Sequence, residues 1–257
     1  MIPKIIHYCW FGSQKLPAEY QHYLASWQKK CPDYQIIRWD ETNYDVQKNR
    51  YMQQAAQMGK WSFVSDYLGF DVVYQYGGIY LDTDVELLKN LDYLLNNQAF
   101  MGFEENEIGF AINPGLGFGA QKHDPVIKEL CQIYDDLAFI DQNGHLNTLA
   151  VPTYTTKLLC QKGLKTNNRL QTIAGIKLYP SDYFAPMDFL TGEIHLTENT
   201  YSIHHYSATW QNPENLRHIK IIRQVNRKFG KKLGMKINWF LRASWAVKRR
   251  FKALGKH

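Results

Sequence analysis

Several features are scarce or missing in this 257-residue sequence, and each absence excludes a class of protein. The four cysteines are scattered, with no Cys-x-x-Cys pair, so we expect reduced thiols and neither a disulfide framework nor a cysteine metal site. No run of 18 or more apolar residues occurs, which predicts no membrane-spanning helix. Residues 1–4 lead directly into strand-like sequence, so we expect a cytoplasmic protein without a secretory signal.

Acidic residues are absent after Glu214, whereas 14 of the 30 lysines and arginines lie between residues 217 and 256. The formal net charge of +6 therefore hides an asymmetry, because residues 1–216 carry 16 basic side chains against 24 acidic ones. Nucleic-acid binding depends on a positive face, so we expect no nucleic-acid partner. The sequence predicts a domain over residues 1–212 and a basic amphipathic helical tail over 213–257.

The remaining composition is that of an ordinary folded domain, with 45% hydrophobic and 21% charged residues. Strand-like and helix-like segments alternate, which predicts an α/β fold with a largely parallel central sheet. The predicted strands cover 4–10, 35–39, 79–84, 99–104 and 201–205, and the predicted helices cover 17–30, 61–76, 125–139 and 152–161. The glycine-rich segment 113–119 lacks the Gly-Lys-Ser/Thr ending of a phosphate-binding loop, and we expect a flexible loop there.

The most informative stretch is Gly77-Gly78-Ile79-Tyr80-Leu81-Asp82-Thr83-Asp84, a short strand that ends in Asp-x-Asp. Residues i and i+2 of a strand point to the same side, so Asp82 and Asp84 can face one cation. Carboxylate ligands completed by water and phosphate oxygens suit Mg²⁺ or Mn²⁺. Asp-x-Asp also occurs in ordinary surface turns, and its position at a strand end after Gly-Gly is what favours a metal site.

Five short motifs follow one another in an order that is typical of a known family. They are Ile-Pro-Lys-Ile-Ile-His (2–7), Trp10-Phe11-Gly12, Ser65-Asp66, the run Tyr76 to Asp84 and the run His204 to Trp210. Together they resemble the sugar transferases of glycosyltransferase family 32, which include bacterial capsular-polysaccharide enzymes and Och-type mannosyltransferases, with clostridial glucosylating toxins as distant relatives. The resemblance covers about residues 1–212.

The resemblance implies a GT-A nucleotide-sugar-binding fold and sugar transfer with retention of the anomeric configuration. By similarity, Trp10 stacks on the nucleotide base, while Ser65, Asp66 and Gly78 bind the donor. Asp82 lies near the ribose and the metal. Asp84 holds the metal that bridges the diphosphate, so the catalytic residues are Asp66, Asp82 and Asp84.

A histidine before the terminal tryptophan completes the metal site in related enzymes, and this maps to His204 or His205. Two neighbours on a strand point to opposite faces, so only one of them can be the ligand, and we favour His204. One departure concerns Gly69, where the family usually has an arginine that contacts diphosphate and sugar. Another cation compensates, the donor pocket differs, or activity is reduced; a vacant arginine position predicts faster donor turnover for Gly69→Arg.

The predicted function is transfer of a sugar from a nucleotide-sugar, a UDP-sugar in preference, to a glycan or lipid-linked saccharide during synthesis of a cell-surface polysaccharide. Apolar residues at helical spacing among the basic residues of the tail suit an interfacial helix on anionic lipid, although the same stripe could dock on the body. The sequence thus predicts a peripheral location on the inner face of the cell membrane.

Two alternatives belong to other classes of protein. Asp82-Thr83-Asp84-Val85 matches the Asp-x-Asp-x-Val nucleophile motif of haloacid-dehalogenase-type phosphatases, but that motif normally lies on the first strand. A non-enzymatic, basic-tailed membrane adaptor is the other, and the Asp-x-Asp in an acidic body disfavours it.

Overall fold

The computed structural model describes residues 1–106, 108–207 and 213–254. The strands are β1 Ile5–Cys9, β2 Gln35–Trp39, β3 Gly78–Tyr80, β4 Val85–Leu87, β5 Ala99–Asn106, β6 Gly109–Ile112, β7 Phe118–Ala120, β8 Gln171–Ile173, β9 Ile176–Tyr179 and β10 Ser202–His204. The helices are α1 Ala18–Lys30, α2 Arg50–Gln57, α3 Trp61–Tyr76, α4 Pro125–Asp135, α5 Val151–Gln161 and α6 Pro213–Leu254. Ala208, Thr209 and Trp210 of the last predicted motif lie outside the described residues.

A central sheet carries the fold, in the strand order β2-β1-β3-β7-β5-β9-β8, with β6 paired to β5. The strands β1, β2, β3, β5 and β9 share one direction, while β7, β6 and β8 run against their neighbours. This confirms the predicted α/β class with a largely parallel sheet. The strands β4 and β10 form a separate antiparallel pair.

The glycine-rich segment 113–119 is not the predicted flexible loop. It makes a short 3₁₀ turn at Pro114–Leu116 and then becomes β7, which is inserted between β3 and β5. A side chain at Gly119 would overlap the Phe100 ring, since a Cβ there would lie 2.6 Å from Phe100 Cε1. Here glycine allows close packing inside a sheet. In the sequence, such a glycine-rich strand has the same composition as a loop.

The helix α3 lies at the centre of the larger hydrophobic core. It begins and ends where the sequence predicts, and Gly77 follows it with a φ of 67°. The sequence spacing predicts a buried stripe of Val64, Leu68, Val72 and Tyr76. The first three are buried, whereas Tyr76 is 50% exposed, and Phe63 and Phe70 on other faces are buried too. A helix that is apolar on most of its circumference packs on several elements at once, here β1, β3, α2 and α4.

The chain divides into two compact units: residues 1–187 with 195–210, and residues 188–194 with the segment from 211 onward. The second unit contains α6, whose helical conformation is broken at Gly230 (φ 74°, ψ 157°). Among the described residues no helix has the length and apolar character needed to cross a membrane. The boundary at residue 213 stays a prediction.

Candidate active site at the carboxyl edge of the sheet

The candidate site lies where parallel strands of the central sheet end. The strands β1, β3 and β5 point the same way, so Trp10 after β1, Asp82 after β3 and Glu104 near the end of β5 lie at one edge. Ligands of open α/β sheets bind beyond the carboxyl ends of the strands. The topology therefore places acidic side chains from separate parts of the chain in one region.

Asp82 and Asp84 converge through a turn and not, as the sequence reasoning assumed, through the alternation of a strand. The strand β3 ends at Tyr80, and the backbone N–H of Val85 donates to the carbonyl of Asp82 at 3.1 Å. The N–H of Ser207 donates to Asp84 Oδ2 at 2.8 Å, and the N–H of His205 donates to the Asp84 carbonyl at 3.0 Å. The turn is thus held by the segment that follows β10.

Antiparallel pairing of β10 with β4 brings His204 to the two aspartates. His204 is in register with Val85, and its Nε2 lies 3.1 Å from Asp84 Oδ1. One ligand atom from each of Asp82, Asp84 and His204 lies within 4.8 Å of the others. His205 points elsewhere: its Nε2 lies 2.9 Å from Glu86 Oε2, and its ring stacks on Tyr23 at 4.4 Å.

The electrostatics of this cluster show an excess of negative charge. Burial and the neighbouring Asp84 raise the pKa of Asp82 to about 7. Burial alone would raise the pKa of Asp84 as well, but the adjacent His204 lowers it to about 2. The pKa of His204 is raised to about 9, because Asp84, Asp82 and Glu104 outweigh the opposing effect of burial. One imidazole therefore faces three carboxyl groups, and it must be neutral when it binds a cation.

Asp66 and Asp82 both line a small cavity. Its volume is about 240 Å³, which includes space open to solvent, and its lining includes Ser65, Asp66, Gly69, Asp82 and Gly115. Ser65 Oγ donates to the Ser62 carbonyl at 2.7 Å. Burial, and secondarily the charge of Asp82, raises the pKa of Asp66 well above its usual range. Asp66 thus shares the cavity with Asp82 and Ser65, as the resemblance requires.

Gly69 has a packing explanation that the sequence did not indicate. A Cβ at Gly69 would lie 3.2 Å from Cγ and Cδ1 of Tyr80, whose ring is almost fully buried. The absent side chain lets α3 approach β3 closely and leaves room in the cavity. Of the three explanations for the missing arginine, this favours a donor pocket of different shape, and it removes the reason to expect faster turnover in Gly69→Arg.

Two predicted donor-binding residues lie outside the cavity. Trp10 follows β1 at the same edge of the sheet, where its Nε1 donates to the Gln14 carbonyl at 2.8 Å and its ring meets Tyr20 edge to face at 5.8 Å. Gly78 begins β3, at the end away from the site. A Cβ on Gly78 would lie 2.8 Å from the Ile5 carbonyl oxygen, so this glycine serves contact between strands and does not meet the other site residues.

A second group of side chains at this edge was not identified as a unit from the sequence. Glu104 Oε2 accepts from Asn113 Nδ2 at 2.7 Å and from the Tyr206 hydroxyl at 3.3 Å. Asn113 Oδ1 accepts from the N–H of Gly115 at 2.8 Å, and Gly115 borders Asp82. The Tyr206 ring packs edge to face on His204 at 4.3 Å. These contacts link β5, the turn after β6 and the segment after β10 around the aspartates, and no sequence spacing predicts them.

The residues of the cluster fit a divalent cation. Two carboxylates and one imidazole offer three ligand atoms close together, a mixed set of oxygen and nitrogen donors that suits a divalent cation. The raised pKa of Asp82 also supports a cation site. Burial and the charge of Asp84 disfavour the ionised form of Asp82, and a bound cation would offset both effects. Asp82, Asp84 and His204 would hold the metal.

Comparison with known proteins confirms the resemblance found in the sequence. Residues 17–101 match the family model described as "Glycosyltransferase sugar-binding region containing DXD motif", and Asp82-Thr83-Asp84 lies within them. The chain is 32% identical over 124 residues to inositol phosphoceramide mannosyltransferase 3 of Schizosaccharomyces pombe, covering 43% of this chain and 33% of that protein. It is 30% identical over 109 residues to the mannosyl phosphorylinositol ceramide synthase of Saccharomyces cerevisiae, covering 39% and 27%.

Solved structures provide matches of the same class. The PaToxG glycosyltransferase aligns with 18% identity and a TM-score of 0.48, covering 63% of this chain and 70% of that one. The galactosyltransferase LgtC aligns with 13% identity and a TM-score of 0.43, covering 84% and 94%. The chain spans about a third of the length of the curated relatives it matches. The family model supports the predicted glycosyltransferase class with a DXD motif for the residues that it matches, 17–101.

Proposed function

We propose that this protein is a metal-dependent retaining glycosyltransferase that moves a sugar from a nucleotide-sugar donor to a glycan or lipid-linked saccharide. The observation that carries the proposal is the convergence of Asp82, Asp84 and His204 beside a cavity that contains Asp66. The family model that includes the Asp-x-Asp supports a glycosyltransferase over the phosphatase alternative. Retention is proposed from the family resemblance.

In the proposed reaction, the bond between the anomeric carbon and the diphosphate oxygen breaks and a bond to the acceptor oxygen forms. The acceptor proton passes to the leaving diphosphate. A bound divalent cation supplies Lewis-acid stabilisation of the charge that develops on that leaving group, by several kcal/mol. The N–H of Ser207 orients Asp84 for metal binding, and His204 would supply the nitrogen ligand beside it. Asp66 and Ser65, which line the cavity together with Asp82, bind the donor.

The acceptor class and the location are proposed on separate grounds. The two yeast relatives are named for mannose transfer to a phosphoinositol ceramide, which supports a lipid-linked acceptor. We therefore propose a peripheral enzyme at a membrane surface, on the cytoplasmic side, that acts in cell-surface polysaccharide synthesis. A UDP-sugar is the preferred donor proposal, and a mannose donor is the alternative that the relatives suggest.

The proposal is tested by nucleoside diphosphate release from a panel of UDP- and GDP-sugars, with Mn²⁺, with Mg²⁺ and with a chelator. We expect release with at least one donor, loss of release in chelator and recovery when Mn²⁺ is added back in excess. A phosphatase substrate such as p-nitrophenyl phosphate is the matched control and is expected to remain intact. The proposal is contradicted if nucleoside diphosphate release continues unchanged in chelator, or if no donor gives release.

A further inference from the structure

The tail folds as a helical hairpin, and this fold selects which of its apolar residues are covered. The His218 ring stacks on Trp245 at 3.6 Å, and Asn238 Nδ2 donates to Asn226 Oδ1 at 2.8 Å. Gly234 also lies against Asn226, since a Cβ there would be 2.9 Å from the Asn226 Cα. The two halves of α6 are therefore antiparallel, with the reversal at Gly230.

The segment 188–194 covers part of the first half of this hairpin. Asn226 Nδ2 donates to the Leu190 carbonyl at 2.8 Å, and Arg227 Nε donates to the Thr191 carbonyl at 2.6 Å. Much of the apolar stripe predicted in this half is partly buried, namely Leu216, Ile219, Ile222 and Val225. These residues are thus partly covered within their own unit, and docking of the stripe on the body stays a prediction.

The second half of α6 has a different, uncovered side. Six of its exposed residues lie on one side of the helix and are here called the outer face: Lys232, Leu233, Met235, Lys236, Trp239 and Phe240. At about 100° per residue these six fall within an arc of roughly 160°, opposite Gly234 and Asn238. Trp239 is 65% and Phe240 67% exposed, although both are large aromatic side chains. Two aromatics, two aliphatics and two lysines share this face.

We propose that the outer face binds the surface of an anionic lipid bilayer. Exposed aromatic side chains next to lysines are the pattern of a helix that lies in a membrane interface, with aromatic rings at the boundary of the acyl region and ammonium groups at the phosphates. No acidic residue follows Glu214, so a negative surface meets no like charge in the sequence of this segment. The lysines lie between the apolar residues around the helix, which favours shallow seating at headgroup level.

The inference rests on the proposed function only in its expectation of a lipid-linked acceptor. A protein partner or a second copy of this chain is the competing occupant of an exposed aromatic face. The charge separates these occupants, since the face carries two lysines and no acidic residue and so favours a negative surface that need not be complementary in shape. Asp188 of the same unit pairs with Lys231, which is not one of the six residues of the face.

The test is cosedimentation of the full chain with vesicles of phosphatidylcholine and of a 70:30 phosphatidylcholine–phosphatidylglycerol mixture. Trp239→Ser with Phe240→Ser is expected to weaken binding to the anionic vesicles at least 10-fold. Lys232→Gln with Lys236→Gln is expected to weaken it by about 30-fold, at roughly 1 kcal/mol for each charge. The matched control is Tyr93→Ser with Leu170→Ser, two residues that are 62% and 53% exposed in the other unit. Its binding is expected to stay unchanged.

The replaced side chains are exposed, so the thermal transition of each variant should match that of the parent protein. Wild-type binding by the Trp239/Phe240 variant, or equal binding to neutral and anionic vesicles, overturns the inference. Self-association that depends on Trp239 without vesicle binding overturns it in favour of a second copy. Donor hydrolysis by the full chain is measured separately, without vesicles. Absence of hydrolysis contradicts the proposed glycosyltransferase activity and does not affect the result on vesicle binding.

Discussion

Charged residues in two regions of this molecule work under opposite conditions. Asp82, Asp84 and His204 are enclosed at the edge of the sheet and lie within hydrogen-bonding or ligand distance of one another. Lys232 and Lys236 are exposed on one side of a helix. Enclosed charges interact strongly and depend on exact placement, because little water screens them, whereas exposed charges act through their sum.

This difference teaches which substitutions are informative in each region. At the sheet edge, keeping the charge but moving it by one methylene should matter. On the outer face of α6, the number of positive charges should matter more than the position of any one of them. Substitutions at the sheet edge address one half of this comparison, and the vesicle experiment addresses the other half.

The largest expected effect is at Asp84. Asp84→Asn should lower donor turnover about 1,000-fold, since it removes a metal ligand whose chemistry contributes several kcal/mol. Asp84→Glu keeps the charge and should still cost about 100-fold, because misplacement by about 1 Å is that costly in an active site. Initial rates at saturating donor and Mn²⁺ provide the measurement. Asp135→Asn, an exposed carboxylate on α4, is the matched control. Near-normal turnover in Asp84→Glu would show that the exact position of the charge matters no more at the sheet edge than on the outer face of α6.

A smaller effect is expected from the adjacent histidines. His204→Ala should raise the Mn²⁺ concentration for half-maximal activity by about 10–100-fold, as loss of groups in or next to a metal site typically does. His205→Ala should leave that concentration within about twofold, because His205 contacts Glu86 and Tyr23 instead. The measurement is a Mn²⁺ titration of donor turnover for both variants. Equal shifts for the two variants, or a larger shift for His205→Ala, would contradict the assignment of His204 as the ligand.

The smallest effect in this series is expected at Gly69. Gly69→Ala gains about 1 kcal/mol of helix propensity but forces a methyl group against the enclosed Tyr80 ring, and overpacking costs about 1–3 kcal/mol. We expect a net loss of about 1 kcal/mol in the free energy of unfolding, measured by urea denaturation. Exposed Gly144→Ala, at a φ of 80°, serves to separate this clash from ordinary backbone strain. Stabilisation by Gly69→Ala would show that the cavity wall is not tightly packed.

Much of the fold could be predicted because long periodic segments are consistent with their tertiary environment. The helix α3 has its predicted bounds, and β2 covers the predicted residues 35–39. The short strands β4, β8 and β9 were not predicted, since three or four residues carry too little pattern to identify. The strand β7 was mistaken for a loop because glycine is selected there by the Phe100 ring and not by a turn.

For the candidate site, the sequence indicated the residues and the structure supplied the reason for their proximity. Asp82 and Asp84 were expected to face one cation from a strand, but a turn brings them together and the segment after β10 holds that turn. Gly78, named with the donor site, serves contact with β1 instead. Glu104, Asn113 and Tyr206 meet through bonds between residues up to 102 positions apart, which local spacing cannot reveal.

Residue types and short motifs are enough to identify the chemistry available: oxygen and nitrogen ligands for a cation, an acidic body and a basic tail with Glu214 as its one acidic residue. These properties depend only on residue types and short motifs, so they can be recognised without knowledge of the fold. The tertiary structure alone decided that His204 and not His205 meets Asp84, that Gly69 accommodates Tyr80, and that Trp239 is exposed while Trp245 stacks on His218. Each of these outcomes depends on which distant segment packs against the residue, and that is set by the whole core.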